Sequence, residues 1–498
     1  MAGSPCLVIH SATLRGMEAL PVDLEIATSN GIPGIVIVGM PDSNVLEARS
    51  RVRCAIRASG LKMPRLRFTV NLSPGELRKT GTGFDLPLAV AILASTSQIP
   101  PRGLDECLFV GELALDGTVN PVRGMVAYER LAQRLGMKLV SSGTNELIGS
   151  THFLDMESLP EILAGVEHLQ TLPLSSSQVA SGSSSKDVDF SDVMDQEAAK
   201  RAMVISATGG HGLLMIGPPG SGKTMLAKRM PTILPPLTRG EMEEAMLVSS
   251  VAGLDVSDIA SGKRPFRAPH HSISMAGMIG GGSPVRPGEV SLSHEGVLFL
   301  DELPEFSSNV LQSLRQPFEE HEVRLVRADG LYRFPCNFMF LAASNPCPCG
   351  YLGDDRHQCK CTPAKIAQYQ SRIGGPLNDR IDLHVFVNRP DSRKVVSGEE
   401  GMSTEEMRSQ VLQGREFRNW RTRRTGEIGL PNQGLEPMCL DDCAREEIER
   451  VARRLGFGGR AIARVGGIAR TIADLEGRDR VTREDVLEAC AYRDRREG

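Results

Sequence analysis

Residues 211–224, HGLLMIGPPGSGKT, constrain this chain more than any other stretch. Four apolar residues, Leu213–Ile216, read as a buried strand. The run breaks at Gly217 and continues Pro218, Pro219, Gly220, Ser221, Gly222, Lys223, Thr224, after which residues 225–228 begin a helix. A glycine-rich loop in that setting is a phosphate cradle. Its glycines let backbone N–H groups turn inward on a polyphosphate, and the helix N-terminus adds partial positive charge. Lys223 sets a point charge against the β- and γ-phosphates, and the Thr224 hydroxyl can ligate Mg²⁺. Without the flanking strand and helix the same residues would be an ordinary turn. ATP with Mg²⁺ is the expected ligand.

The rest of such a site follows downstream. Gly296–Leu300 is an apolar strand ending in Asp301 and Glu302. An acidic pair at a strand end is usually just solvated. After a phosphate loop, Asp301 suits a Mg²⁺ or Mg²⁺-water ligand, and Glu302 suits the base that polarises an attacking water. A third strand, Phe338–Ser344, ends at Asn345, whose amide could orient that water.

The chain has 498 residues, enough for two to four domains, and a net charge of −4. That balance argues against a basic nucleic-acid coat but leaves a local basic channel open. The start, MAGSPCLVIH, lacks a basic region followed by an apolar run, and no apolar stretch reaches the ~18 residues that span a bilayer. The most apolar segment, 84–96, contains Asp85 and Pro87 and reads as a core helix. A cytoplasmic protein with no membrane contact is expected. Eleven cysteines, mostly scattered, fit reduced thiols.

Residues 1–170 alternate strand-like runs (6–10, 22–27, 34–38, 67–72, 108–110, 138–141) with helical patterns at 43–59 and 84–95, which argues an α/β unit. Residues 171–190 are serine-rich and read as a linker. Residues 191–390 hold the phosphate loop, and 195–207 read as a helix leading into its strand. Residues 391–498 are helical and charged, with helices expected at 404–424, 443–455 and 460–476 and a capping pattern at Thr482 and Asp485. Gly466 and Gly467 inside the third of these would each cost about 1 kcal/mol against alanine.

Two insertions interrupt the nucleotide-binding unit. Residues 263–292 place Lys263, Arg264, Arg267, His270, His271 and Arg286 among glycines and prolines. The adjacent histidines would alternate sides on a strand, so packing or hydrogen bonding fits them better than one shared metal. Residues 322–335 read as a hairpin turning at Ala328-Asp329-Gly330 and bearing Arg324, Arg327 and Arg333. Cys347, Cys349, Cys359 and Cys361 then fall within a short stretch, a set that can hold structural Zn²⁺. A redox-active or merely clustered set is the alternative. Thr362 and Pro363 open a helix that ends near Arg372.

The segments 34–60, 68–93 and 109–125, and the run FRAPHHSISMAGMIGGGSPVRPGEVSLSHEGVLFLDELPEF, closely resemble the YifB/ComM family of bacterial magnesium chelatase-like ATPases. The resemblance implies an α/β chain in three parts. These are an amino-terminal domain of Lon-protease type (ribosomal protein S5 domain 2-like), an AAA+ core with a parallel sheet, and a carboxy-terminal helical lid. Gly83 and Val126 stand where Lon proteases carry their serine and lysine, so a Ser–Lys dyad is not expected; Ser73 and Lys79 read as surface loop residues. Where the family has glycine before a glutamine, this chain has Asp195-Gln196. In GGPLNDRIDL the resemblance assigns Arg380 as an arginine finger reaching a neighbouring subunit's γ-phosphate, with Arg372 a second candidate. It assigns Arg470 as a lid sensor for ATP, although GGR at 458–460 departs from the family's S-A-R. A homohexamer is implied, with basic hairpins tracking DNA in its pore. The implied role is a DNA helicase promoting branch migration in recombination during natural transformation. A chelatase motor, an ATP-dependent protease and a MoxR-like protein-remodelling ATPase are the alternatives.

Overall fold

The computed structural model describes residues 7–143, 152–171, 189–328, 330–354, 356–372, 377, 381–391, 401–425 and 438–493. The expected linker lies mostly outside them. Alternating apolar residues in the first part form an eight-stranded mixed sheet. Its order is Gln170–Thr171, Phe153–Asp155, Lys138–Ser141, Cys107–Phe109, Leu7–Arg15, Glu18–Ser29, Arg67–Ser73, Gly34–Val38. The helix Asp85–Ser95 is buried from Asp85 to Leu93, as its uniform apolarity requires. Its one charge, Asp85, takes two bonds from Arg51, at 2.6 and 2.9 Å. The helix Ser43–Ala58 starts where the sequence indicated, with the Asp42 carboxylate accepting from Val45 N–H at 2.9 Å.

The second sheet has five parallel strands in the order Phe266–Arg267, Gly296–Leu300, Phe338–Ser344, Leu213–Ile216, Leu383–Phe386. The middle strands are apolar because helices cover both faces. The helix Glu197–Gly209 joins the helices Thr404–Thr425 and Gly459–Leu475 in one apolar core with this sheet. The glycines at 466 and 467 do not interrupt their helix; both are buried within it, so tertiary packing outweighs their low propensity. Gly414 permits the close crossing of two of these helices, since a Cβ there would stand 2.8 Å from Leu475 and Thr208.

The two sheets share a seam. The helix Met125–Leu135 packs on the helix Arg239–Ala252, with Tyr128, Leu131, Met246 and Val251 in one buried cluster. Gly124 N–H donates to Ser250 O at 2.8 Å across it. Among the described residues no helix is long and apolar enough to cross a membrane.

Candidate functional site

The phosphate loop leaves its strand at the carboxyl edge of the five-stranded sheet, beside the ends of two neighbouring strands. Gly217 has no room for a side chain, because a Cβ would lie 2.1 Å from Val387 O. Gly220 and Gly222 take φ of +78° and +94°, open to glycine at little cost. Lys223 is buried at the centre of the loop. Its ammonium donates to Gly217 O at 2.7 Å and Pro218 O at 3.0 Å, and lies 3.4 Å from Asn345 Oδ1. Burial pushes this ammonium below the usual lysine range, and Asp301 and Glu302 oppose the shift. Thr224 Oγ1 donates to Asp301 Oδ2 at 2.7 Å. A hydroxyl and a carboxylate converging at one point suit Mg²⁺, which takes one or two protein oxygens beside water and phosphate.

Glu302 follows with φ +52°, a backbone conformation that costs a non-glycine residue about 1–2 kcal/mol and recurs at functional sites. Its N–H donates to Asp301 Oδ1 at 2.9 Å. His271 Nδ1 stands 3.5 Å from Glu302 Oε2, with the His270 ring against it at 4.0 Å and Phe306 edge-on. The packing or hydrogen-bonding role expected of the histidine pair holds, with His270 Nδ1 2.8 Å from Ser272 Oγ, but the approach of His271 to Glu302 lies outside that expectation. Its only signal was a polar ring pair in a segment leading back to the acidic strand.

Asp195 takes φ +57°, a conformation more often filled by glycine. Its carboxylate accepts from Asp391 N–H at 2.9 Å, and Gln196 donates to Asn388 O at 2.7 Å. A short polar side chain tolerates that conformation, so the turn forms without glycine.

The structure thus brings Lys223, Thr224, Asp301, Glu302 and Asn345 together. Arg380 lies outside the described residues, and Arg372 is exposed at the end of the helix Pro363–Ser371. Arg470, which the resemblance assigns as a lid sensor, lies in the helix Gly459–Leu475. Its guanidinium is buried inside the lid, donating to Asp479 O at 2.8 Å and to Arg478 O and pairing with Asp474 at 3.0 Å. Those bonds hold its cation inside the lid.

Most cations of the first insertion are also taken. Lys263 meets Asp258 at 2.9 Å. Arg264 is held by Pro235 O and Glu295 O, both at 2.7 Å, and Arg267 forks onto Glu289 at 2.6 and 2.7 Å. The second insertion is the expected hairpin, Glu322–Arg327 with Gly330–Pro335; Asp329 lies outside the described residues. Arg324 stands opposite Arg333 and Val326 opposite Leu331, all four exposed on one face. Val323 and Phe334 are buried on the other. Glu320 and Glu322 lie within 3.3 and 3.2 Å of Arg324, and Glu322 within 3.6 Å of Arg333. Arg327 alternates to the opposite face, towards Gly281. Arg15 from the first sheet lies over the Tyr332 ring at 5.8 Å.

Cys347, Cys349, Cys359 and Cys361 bring their sulfurs within 4.8 Å of one another. Separations of 3.4, 3.6 and 3.7 Å among Cys347, Cys349 and Cys359 match the S···S edge of about 3.8 Å that a tetrahedron with Zn–S near 2.3 Å requires. The backbone N–H groups of Tyr351 and Lys360 draw the Cys349 thiol down to about 6, while burial and the Cys349 and Cys347 sulfurs push Cys359 up to about 12. In the first part of the chain, a Cβ on Gly83 would meet Val110 at 3.2 Å and Val122 at 3.6 Å, and Val126 is buried. Lys79, expected at the surface, is instead buried and donates to Pro74 O, and Ser73 closes the strand Arg67–Ser73 rather than standing in a loop.

A phosphate loop at the edge of a parallel sheet, with an acidic strand end two places away and an amide-bearing strand between, defines an AAA+-type ATPase of the magnesium chelatase-like class. Profiles described as magnesium chelatase, subunit ChlI, as subunit ChlI of Mg-chelatase, and as its C-terminal part match residues 189–395, 24–144 and 401–493. Within that class the chain belongs to the YifB/ComM family. It is 37% identical over 495 residues to YifB of Salmonella typhimurium, an uncharacterized protein, covering 98% of this chain and 96% of that one. It is 37% identical over 498 residues to the competence protein ComM of Haemophilus influenzae, covering 98% and 97%. An archaeal Lon protease of Pyrococcus abyssi is 28% identical over 219 residues, 41% of this chain and 18% of that protein.

Proposed function

We propose that the protein is a cytoplasmic ATP-driven motor. It works as a homohexamer on single-stranded or branched DNA, without reading sequence, as a helicase for branch migration in recombination during natural transformation. One observation carries the reading. The chain between Glu302 and Asn345, two groups that flank the attacking water in this scheme, runs out through an exposed hairpin with Arg324 and Arg333 side by side. A change at the γ-phosphate is then linked by a short path to two cations able to follow a phosphate backbone. Similarity to a competence protein along nearly the whole chain supports the place in transformation.

In this reading residues 217–224 cradle ATP, and Thr224 and Asp301 hold Mg²⁺, which neutralises phosphate charge. Glu302 accepts the proton of the attacking water, Asn345 orients that water, and Arg380 reaches in from the neighbouring subunit to stabilise transferred charge. Residues 1–170 form a Lon-protease-like S5 domain 2-type domain without its dyad, 171–190 a linker, 191–390 the AAA+ core and 391–498 the lid. Structural Zn²⁺ occupies the four cysteines.

A second reading, a protein-remodelling ATPase, draws on Val326, which is 80% exposed opposite Leu331 at the hairpin tip and would suit an apolar peptide. The deciding experiment is ATP hydrolysis by the hexamer with and without single-stranded and branched DNA, beside Lys223→Ala. Stimulation that vanishes in the variant supports the DNA motor. A rate indifferent to DNA in a sample shown to be hexameric overturns it and favours the second reading.

A further inference from the structure

The cysteine loop and the phosphate loop touch. Gly350 sits between Cys349 and Tyr351 with φ +83°, and a Cβ on it would stand 2.6 Å from Pro219 Cδ and 3.9 Å from Asn345 Cγ. Cys347 follows Asn345 by two positions, and Asn345 Oδ1 is the group 3.4 Å from the Lys223 ammonium. The far side of the cysteine loop is clamped to the chain leaving the strand Leu383–Phe386. Arg389 pairs with Asp354 at 3.4 Å, lies 5.8 Å over the Tyr351 ring and meets His357 Nδ1 at 3.3 Å. Two residues earlier in that chain, Val387 O closes the space over Gly217. Gln370 ties the near end through Pro346 O at 2.9 Å.

The phosphate loop is therefore held between two walls, Gly350 against Pro219 and Val387 against Gly217, and the cysteine loop braces both. Between Ser344 and Pro363 the described residues form no helix or strand. Among the described residues of that segment only Pro346, Cys347 and Gly350 are buried. Such a segment has little hydrophobic burial to fix it, so a metal on its four thiolates would supply most of its order.

Resting on the reading of residues 217–224 as the nucleotide site, we infer that the cysteine loop is a metal-dependent positioning element of that site. Zn²⁺ on Cys347, Cys349, Cys359 and Cys361 sets Gly350 against Pro219, and loss of the metal weakens nucleotide binding. None of these residues touches the phosphates in this scheme; they act through Pro219 and Asn345.

The test uses the full chain, purified with Zn²⁺ present. It measures zinc content by mass spectrometry, affinity for a fluorescent ATP analogue, and thermal melting. The expected result is one Zn²⁺ per chain. Stripping with a zinc-selective chelator should weaken the analogue by about fivefold or more, and re-adding Zn²⁺ should restore it. Gly350→Ala keeps all four thiols and should retain zinc while showing a comparable loss, because its methyl presses on Pro219. A zinc-free wild-type protein overturns the inference. So does a stripped protein that binds the analogue within about twofold of the loaded one. If the wild type binds no nucleotide, the reading of the site falls and this inference with it. If binding is lost in Lys223→Ala but indifferent to zinc, the coupling alone is overturned.

Discussion

Asp474 is the carboxylate between two buried guanidinium groups of the lid, and its removal tests what Arg470 is for. Arg421 forks onto Asp474 at 3.0 and 3.1 Å from one helix, and Arg470 reaches it at 3.0 Å from one turn away. All three side chains are at most 3% exposed. Asp474→Asn would leave both cations without their shared counter-charge. Breaking a buried pair costs about 3–5 kcal/mol, and at about 2–4 °C per kcal/mol for a body of 150–250 residues the melting point falls by roughly 6–20 °C. Arg470→Met should cost less, about 1–3 kcal/mol. Arg421 keeps Asp474 paired, and the lost bonds run to Asp479 O and Arg478 O, both near the surface. Burial already pushes the Arg470 guanidinium below its ordinary value, with Asp474 the main opposing influence, so its charge is not cheaply held. The assay pairs calorimetry with ATP hydrolysis on the same samples. A structural Arg470 lowers the melting point and lowers the rate only as far as the lid loosens. Hydrolysis abolished in Arg470→Met with an unmoved melting point would refute the argument and return this residue to the phosphates.

Three further outcomes follow from the site. Lys223 is held below the usual lysine range and a bound polyphosphate favours its charged form, so binding takes up a proton once the pH passes the lowered value. Nucleotide affinity should therefore fall as pH rises, beginning below the ordinary lysine value, and a titration flat to that value would show the shift is absent. His271→Asn removes the ring 3.5 Å from Glu302 and should lower kcat about tenfold with little change in KM, read from steady-state hydrolysis; a change confined to KM would place His271 in binding. If DNA lies on the hairpin, the double variant Arg324→Ala, Arg333→Ala should reduce the slope of log K against log salt by about 1.4 for single strands. That is two phosphate contacts at about 0.7 each, and an unchanged slope would remove the hairpin from the path.

The phosphate loop, the acidic strand and the Asn345 strand were legible because each packs its chemistry into consecutive residues, and a strand end delivers those residues to one edge of a parallel sheet. The strands at Gly34–Val38 and Lys138–Ser141 fall on the residues that their apolar runs marked. Side-chain partners across the fold were not legible. A sequence displays the charge of Arg267 or Arg470 but not the carboxylate or carbonyl that tertiary contact brings to it. The two insertions show the consequence. Both are rich in arginine, yet Arg264 and Arg267 are held by carbonyls and a glutamate while the hairpin sets Arg324 and Arg333 on an open face. Even there Glu322 lies within reach of both cations, so a phosphate backbone must compete with a carboxylate for them. The pull on DNA should thus be weaker than two free arginines would give. Glu322→Gln, which lifts that competition and leaves the hairpin strands paired, is expected to tighten DNA binding and steepen its salt dependence. An affinity that falls instead would mean that Glu322 positions the two arginines for their contact.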